Sequence, residues 1–185
     1  EGAAVLLEVD GSEAGCEQQM TALMTILAKH PLQGLQLAGD EAERAALWEL
    51  RRGISEAVKR PHAHHLSEDV AVPVGRVAEL MRRLDVIGER AGITVAAYGH
   101  AGDGNLHVNL LTSDPDAPIV EAAEDVLRVA LELGGTLTGE HGIGLLKRPY
   151  LAWEHSPALL EIQRGIKRAL DPSSVLNPGK IFEAR

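Results

Sequence analysis

Two histidines flank a glycine-rich turn in the stretch Tyr98–Leu111, YGHAGDGNLHVNLL. Asp103-Gly104 is a dipeptide preferred in two-residue type I′ hairpin turns. That register pairs His100 directly with His107 and places their Cβ atoms roughly 4.5–5.5 Å apart on one face of a sheet. Two imidazoles at that separation can share a metal ion, since zinc binds histidine nitrogens at about 2.0–2.1 Å. The alternative is an exposed hairpin whose histidines are incidental.

The hairpin separates polar from apolar side chains. One face is polar or aromatic and carries Tyr98, His100, His107 and Asn109. The opposite face is small or aliphatic and carries Ala97, Leu106, Val108 and Leu110. The second face is typical of a core, so we expect the histidine face to contact something else.

A third ligand is available in the stretch Gly134–Gly144, GGTLTGEHGIG. Its glycines allow close approach of the backbone to a ligand and tolerate positive φ. Two histidines and a carboxylate form a zinc ligand set and also the facial triad of iron enzymes, with positions left open for substrate. We predict His100, His107 and Glu140 as metal ligands, with His141 beside the metal as an acid or base. A flexible loop without a ligand is the alternative.

Arg51 lies within the apolar stripe of a predicted helix, four residues after Leu47 and three before Ile54. A guanidinium on an inward face needs a partner, because an unpaired buried charge is costly. That partner is either an internal carboxylate or the carboxylate of a substrate, which arginine can bind through two parallel hydrogen bonds.

Alternating strands and helices must position these residues. Apolar spacing predicts helices over 13–29, 41–60, 76–91 and 118–133, and a further helix that begins at Ser156-Pro157. Runs of β-branched and aliphatic residues predict extended segments over 3–10, 35–38, 68–74, 94–98 and 106–111. The order strand, helix, strand occurs twice, which predicts an α+β fold with helices packed on a mostly antiparallel, ferredoxin-like sheet. No long linker interrupts the chain, so we expect one compact unit.

Composition excludes several classes of protein. The 185 residues carry a net charge of −9 without a basic run, which argues against binding to nucleic acid. Cys16 is the only cysteine, so an internal disulfide is excluded and a reducing, cytoplasmic location is expected. No apolar run approaches the roughly 18 residues of a membrane span. The chain begins at Glu1 directly before a strand-like run, which predicts a piece of a longer protein.

Three motifs resemble the C-terminal domain of FAD-linked oxidases in the vanillyl-alcohol-oxidase superfamily. They are YGHAGDGNLHVNL at Tyr98–Leu110, GGTLTGEHGIGLLKRPYL at Gly134–Leu151 and LDPSSVLNPGKIF at Leu170–Phe182. Weaker matches are LWELR at Leu47–Arg51 and SEDVAVP at Ser67–Pro73. The resemblance is greatest to the glycolate oxidase, D-lactate dehydrogenase and D-2-hydroxyglutarate dehydrogenase group.

The resemblance implies a two-part enzyme that oxidises a small D-2-hydroxy acid to the 2-keto acid. An N-terminal domain would bind FAD, and residues 1–185 would form the C-terminal domain that covers the flavin and holds substrate. The FAD domain is expected outside this chain, so the chain alone is expected to be inactive. A divalent metal, usually zinc, is implied as a second cofactor, whereas the electron acceptor is left open.

The family's metal and proton-transfer roles transfer onto matching positions. His100, His107 and Glu140 match the metal ligands, and His141 matches the catalytic base. Arg51 matches the arginine that binds the substrate carboxylate.

The remaining roles rest on weaker matches. Asn109 is expected near substrate, and Asn177 and Lys180 are expected near the flavin. Some members carry a lysine for a second carboxylate where this chain has the stretch 67–69, SED. That difference favours lactate or glycolate over 2-hydroxyglutarate.

Two other classes of function are compatible with the residues. A metal-dependent hydrolase would use the same ligands with a metal-bound water, and would act without a flavin. A non-catalytic binding module would show an exposed apolar surface and would bind no metal.

Overall fold

The computed structural model describes residues 2–183. The chain divides into two compact units, Glu1–Ala57 and Val58–Arg185, where the sequence predicts one. The boundary falls in the last turn of a helix, so no linker composition marks it. Within the described part of the chain, no helix is both long and apolar enough to cross a membrane.

The first unit is built on two helices, α1 (Glu13–Leu27) and α2 (Glu41–Lys59). Both lie close to their predicted bounds. Ser12 caps α1, because its hydroxyl oxygen accepts a hydrogen bond from the Gly15 N–H at 3.2 Å. None of the described residues 2–57 is buried, so this unit has no core of its own.

The strands predicted over 3–10 and 35–38 are wrong, since neither segment forms a strand. A strand needs a partner for its backbone hydrogen bonds, and apolar composition alone does not supply one. The first segment is instead attached to α2 through the Glu8 carboxylate, which accepts hydrogen bonds from Arg44 Nη1 at 2.6 Å and Trp48 Nε1 at 3.1 Å.

The second unit contains a three-stranded antiparallel sheet in the order β1-β3-β2. The strands are β1 (His64–Ala71), β2 (Thr94–His100) and β3 (Asn105–Thr112). Helix α3 (Val77–Ala91) connects β1 to β2, and α4 (Ile119–Glu132) follows β3. Thr136 then forms an antiparallel bridge with Ala71 of β1, at the edge of the sheet where a ferredoxin-like fold has its fourth strand. The predicted α+β, ferredoxin-like architecture is confirmed.

Strand β1 lies earlier in the chain than predicted. It ends at Ala71, and a 3₁₀ turn over Val74–Arg76 begins directly after Pro73. Proline cannot donate a backbone hydrogen bond to a neighbouring strand, so the extended pairing stops before it.

One face of the sheet packs against α3 and α4 and forms the main core. Its fully buried side chains include Val70, Val108, Leu110, Leu84 and Leu127. Each such side chain contributes about 1.5–3 kcal/mol relative to an exposed position. The other face of the sheet carries the polar side chains of the hairpin.

The C-terminal part forms a smaller cluster around Ile143, Leu151, Leu160 and Phe182. It contains a 3₁₀ turn (Arg148–Tyr150), α5 (Leu151–Glu154) and α6 (Pro157–Leu170). Ser156 caps α6 by accepting a hydrogen bond from the Leu159 N–H at 3.3 Å, as the Ser-Pro pair predicts.

Candidate metal and proton-transfer site

The β2–β3 hairpin turns through four residues, Ala101–Gly104, and its register therefore differs from the prediction. The N–H groups of Asp103 and Gly104 both donate to the His100 carbonyl, at 3.2 and 3.0 Å. His107 lies opposite Tyr98 and not opposite His100, so the predicted pairing is wrong by two residues. The Gly104 carbonyl accepts a hydrogen bond from Val72 N–H at 3.1 Å, which engages the turn outside the hairpin.

The two histidines nevertheless lie on the same face of the sheet. A shift of two residues preserves the alternation of side chains, since their period along a strand is two. The ring centroids of His100 and His107 are 5.9 Å apart, and the rings meet edge to face. The prediction that both imidazoles share one face is confirmed.

The loop after α4 brings Glu140 and His141 to this face. The Glu140 N–H donates to Asp69 Oδ2 at 3.0 Å, which ties the loop to β1. Gly139 has a positive φ of 47°, and its backbone lies very close to Asp69 and Asn105. A Cβ there would collide with the Asp69 carboxylate and lie 2.8 Å from Asn105 Oδ1. Glycine is therefore required at this position both for conformation and for space.

Donor atoms from three segments converge around His107. Its Nε2 lies 3.7 Å from Glu140 Oε1, and His141 Nε2 lies 3.6 Å from the same carboxylate oxygen. Ligand atoms of His100, His107 and Glu140 all lie within 4.8 Å of one another. A second group of three, which meets the same limit, consists of Asp69, His107 and His141.

The donor set fits a divalent metal. Ligand atoms around tetrahedral zinc are about 3.3 Å apart, so the observed separations need only small side-chain movements to close on an ion. Two imidazoles and a carboxylate are typical zinc ligands. Glu140 and His141 are more than half exposed, at 54% and 66%, so the centre is open to a small molecule from solution.

Asp69 is a site residue that the sequence analysis does not assign. Its side chain is 9% exposed, and its Oδ1 lies 2.5 Å from His107 Nδ1. The antiparallel register of β1 and β3 places these two residues directly opposite each other. Two consecutive acidic residues directly before the apolar end of a strand are an unusual signal, but which strand they face cannot be inferred from one sequence.

Asn105 is a second such residue. It is 5% exposed, and neither its Oδ1 nor its Nδ2 has a hydrogen-bond partner within the described residues. Its amide lies next to Gly139, at the base of the loop that carries Glu140. A buried amide without partners is costly, which marks the base of the site as polar.

A buried lysine joins the loop to β1. Lys147 Nζ donates to the Leu137 carbonyl at 2.5 Å and to the Asp69 carbonyl, and lies 3.4 Å from Glu68 Oε2. Burial raises the pKa of Glu68 and lowers the pKa of Lys147, and the attraction between their charges opposes both shifts. Lys147 therefore holds the loop against β1 directly behind Asp69.

The other predicted site residues do not belong to either group of candidate metal ligands among the described residues. Asn109 is 1% exposed. Its amide accepts a hydrogen bond from Ser67 Oγ at 2.8 Å and donates to the Ala96 carbonyl at 3.3 Å. Arg51 belongs to α2 of the first unit. The binding roles of both residues stay predictions.

Asn177 and Lys180 lie in the exposed segment after α6. The Lys180 N–H donates to the Asn177 carbonyl at 3.2 Å, and Asn177 adopts a left-handed backbone with φ 46°. Asparagine tolerates that conformation better than most residues. Their proximity to a flavin also stays a prediction.

Comparison with known proteins gives a family match over most of the chain. The model of the FAD linked oxidases, C-terminal domain, matches residues 1–181. The glycolate oxidase subunit GlcD of Bacillus subtilis is 35% identical over 97% of this chain and 39% of its own length. A probable mitochondrial D-lactate dehydrogenase of Danio rerio is 35% identical over 97% of this chain and 37% of its own length.

A third relative is the D-2-hydroxyglutarate dehydrogenase of Stutzerimonas stutzeri, which is 33% identical over 93% of this chain and 39% of its own length. The chain thus spans about two fifths of the curated relatives that it matches. Among solved structures, 4-ethylphenol oxidase from Gulosibacter chungangensis, as its isoeugenol complex, aligns with a TM-score of 0.62 and 22% identity. That alignment covers 94% of this chain and 38% of the oxidase, and it supports the fold alone.

Proposed function

The chain belongs to the family of FAD-linked oxidase C-terminal domains, and from that premise we propose that it forms the substrate- and metal-binding part of a flavoenzyme. The proposed reaction is oxidation of a D-2-hydroxy acid to the 2-keto acid. Relatives named for glycolate, D-lactate and D-2-hydroxyglutarate support this class, because all three compounds are 2-hydroxy acids. An N-terminal FAD domain and a cytoplasmic location are part of the proposal.

In this proposal His100, His107 and Glu140 hold one divalent cation, with zinc as the expected metal. The cation would supply Lewis-acid polarisation of the substrate's 2-hydroxyl group. FAD, held mainly by the N-terminal domain, would supply the acceptor for the C2 hydride. The edge-to-face packing of His107 on both His100 and His141 limits ring rotation and keeps the donor atoms together.

His141 is the proposed general base. Its Nε2 lies 3.6 Å from a ligand oxygen of Glu140, and its side chain is exposed, so the ring can reach a hydroxyl group bound at the same centre. Arg51 is proposed to bind the substrate carboxylate and Asn109 to contribute to the substrate site. Asn177 and Lys180 are proposed to contact the flavin.

The convergence of His107, Glu140 and His141 from two distant segments carries the proposal. Turnover of the full-length protein tests the proposed reaction, with an artificial electron acceptor and a panel of D-lactate, glycolate and D-2-hydroxyglutarate. We expect acceptor reduction with the D-2-hydroxy acids and much less with L-lactate as the stereochemical control. No acceptor reduction with any of the acids would contradict the proposal, and hydrolysis without an acceptor would favour a hydrolase.

Within this class we propose lactate or glycolate as the preferred substrate. The stretch 67–69 contains no basic residue, so it presents no cation for a second carboxylate. Ser67 instead donates a hydrogen bond to Asn109, and Asp69 lies against His107. The substrate panel decides this point through the ratio of kcat/KM for D-lactate to that for D-2-hydroxyglutarate.

A further inference from the structure

We propose that Asp69 is a positioning residue that orients His107 and Glu140 for metal binding. It acts through these two residues and is itself outside the proposed ligand set. The inference rests on the proposed function, since it takes His107 and Glu140 as ligands. Its carboxylate contacts both of them from a third segment of the chain, with one oxygen on the His107 ring and the other on the Glu140 N–H.

The contact with Asp69 bears on which nitrogen of the His107 ring carries the proton. Asp69 Oδ1 lies 2.5 Å from His107 Nδ1, is buried, and has no hydrogen-bond partner of standard geometry in residues 2–183. A carboxylate oxygen and an unprotonated ring nitrogen would repel each other at that distance, since both present lone pairs. We therefore assign the proton of a neutral His107 to Nδ1.

The other ring nitrogen of His107, Nε2, lies on the side of Glu140. With the proton on Nδ1, Nε2 has a free lone pair, and this atom lies 3.7 Å from Glu140 Oε1. A carboxylate that holds the distal nitrogen of a ligand histidine fixes its tautomer and its orientation and raises its basicity. Asp69 thus leaves His107 prepared to bind a metal on the side where Glu140 lies.

Asp69 also contacts the loop that carries Glu140. Asp69 Oδ2 accepts the Glu140 N–H at 3.0 Å, so the same carboxylate holds the backbone of the second ligand. Lys147 donates to the Asp69 carbonyl and Gly139 packs closely on the carboxylate, which restricts Asp69 itself. One side chain of β1 therefore sets the positions of one ligand on β3 and one on the loop.

The test compares the wild-type chain with Asp69→Asn and Asp103→Asn. The amide of Asp69→Asn has nearly the same shape, but it retains only one acceptor oxygen for two donors. Asp103→Asn removes the same charge from the neighbouring turn, where the side chain accepts a hydrogen bond from the Asn105 N–H at 2.9 Å, as asparagine can. Long-range proton–nitrogen NMR of the metal-free protein reports the His107 tautomer, and calorimetric titration with Zn²⁺ reports the Kd.

We expect the Nδ1-protonated tautomer of His107 in wild type and in Asp103→Asn, and a shift towards the Nε2-protonated form in Asp69→Asn. We expect Asp69→Asn to weaken Zn²⁺ binding about 10- to 100-fold, with Asp103→Asn close to wild type. An Nε2-protonated His107 in the wild-type chain overturns the proposal even where the variant fails to fold. Weaker Zn²⁺ binding with an unchanged tautomer also overturns it, because Asp69 would then not orient the His107 ring.

The NMR and calorimetric measurements together distinguish failure of the Asp69 role from failure of the proposed metal site. A wild-type chain that binds no Zn²⁺ would refute the proposed metal site, while the NMR measurement would still decide whether Asp69 fixes the His107 ring. Unchanged Zn²⁺ affinity in Asp69→Asn would refute the positioning role and leave the ligand set intact.

Discussion

His141 and His107 lie next to each other, with ring centroids 5.8 Å apart, but have different expected roles. We predict that His141→Ala in the full-length enzyme retains its metal and loses about 10²-fold or more in turnover, as is typical when a general base is lost. Elemental analysis and steady-state kinetics check the two parts. His155→Ala is the matched control, because this histidine contacts Gln163 outside the site. Wild-type turnover in His141→Ala would remove His141 from the reaction.

Alanine substitutions at Gly139 and Gly142 distinguish the effect of backbone strain from the effect of a steric clash. Both have positive φ, at 47° and 77°, but only at Gly139 would a Cβ meet other atoms, namely those of Asp69 and Asn105. We predict that Gly139→Ala weakens Zn²⁺ binding at least 10-fold, because the loop can no longer hold Glu140 against Asp69. Gly142→Ala introduces similar backbone strain, of about 1–3 kcal/mol, into open space.

The difference between these two alanine variants isolates the effect of the close approach. Calorimetric titration with Zn²⁺ gives the affinity of each variant, and thermal unfolding gives its stability. Equal Zn²⁺ affinities in the two variants would show that the contact between Gly139 and Asp69 does not position the loop.

At the scale of single residues, the sequence predicts the histidines and Glu140 as site residues but does not indicate Asp69, which contacts His107 and the Glu140 N–H. The stretches Tyr98–Leu111 and Gly134–Gly144 contain residue types that are typical metal ligands, so they can be recognised without a structure. Asp69 and Asn105 acquire their roles only through the pairing of β1 with β3 and through the loop at Gly139. Such long-range contacts are set by packing over the whole sheet, which one sequence does not report.

At the scale of elements, the loop that carries Glu140 is attached to β1 by the buried pair of Lys147 and Glu68. We predict that Lys147→Met lowers the free energy of unfolding by about 3 kcal/mol, because it leaves the Glu68 carboxyl buried without its partner. It also removes the hydrogen bonds to the Leu137 and Asp69 carbonyls. Urea unfolding measures the change.

The double variant Lys147→Met with Glu68→Gln serves as the control for this pair. We expect it to recover part of the loss, since no charge then remains buried without a partner. Additive losses in the double-mutant cycle would show that the two side chains do not interact.

Helices could be predicted more accurately than strands, and the reason is physical. A helix satisfies its backbone hydrogen bonds locally, so apolar spacing and caps place α1 and α3 within two residues. A strand depends on a partner, so residues 3–10 have strand composition without forming one. The register of the hairpin could not be predicted from the turn alone for a similar reason, because Gly104 is hydrogen-bonded to Val72, which lies outside the hairpin.

At the scale of the whole molecule, the chain is an acidic α+β domain that spans about two fifths of its curated relatives. In the second unit, α3 and α4 cover one face of the sheet, and the polar face carries the histidines and the loop. The fold class could be predicted from the order of strands and helices, and the family could be predicted from three motifs. The division into two units could not, since it depends on which apolar side chains find partners.

In the proposed function, folding builds one metal site from the hairpin and the loop. Metal content of the purified full-length protein tests it most directly, with wild type compared with His107→Ala and with His65→Ala, an exposed histidine on the same sheet. We predict about one divalent ion per chain in wild type and His65→Ala and none in His107→Ala, because His107 is common to both candidate ligand groups. Full metal occupancy in His107→Ala would contradict the account.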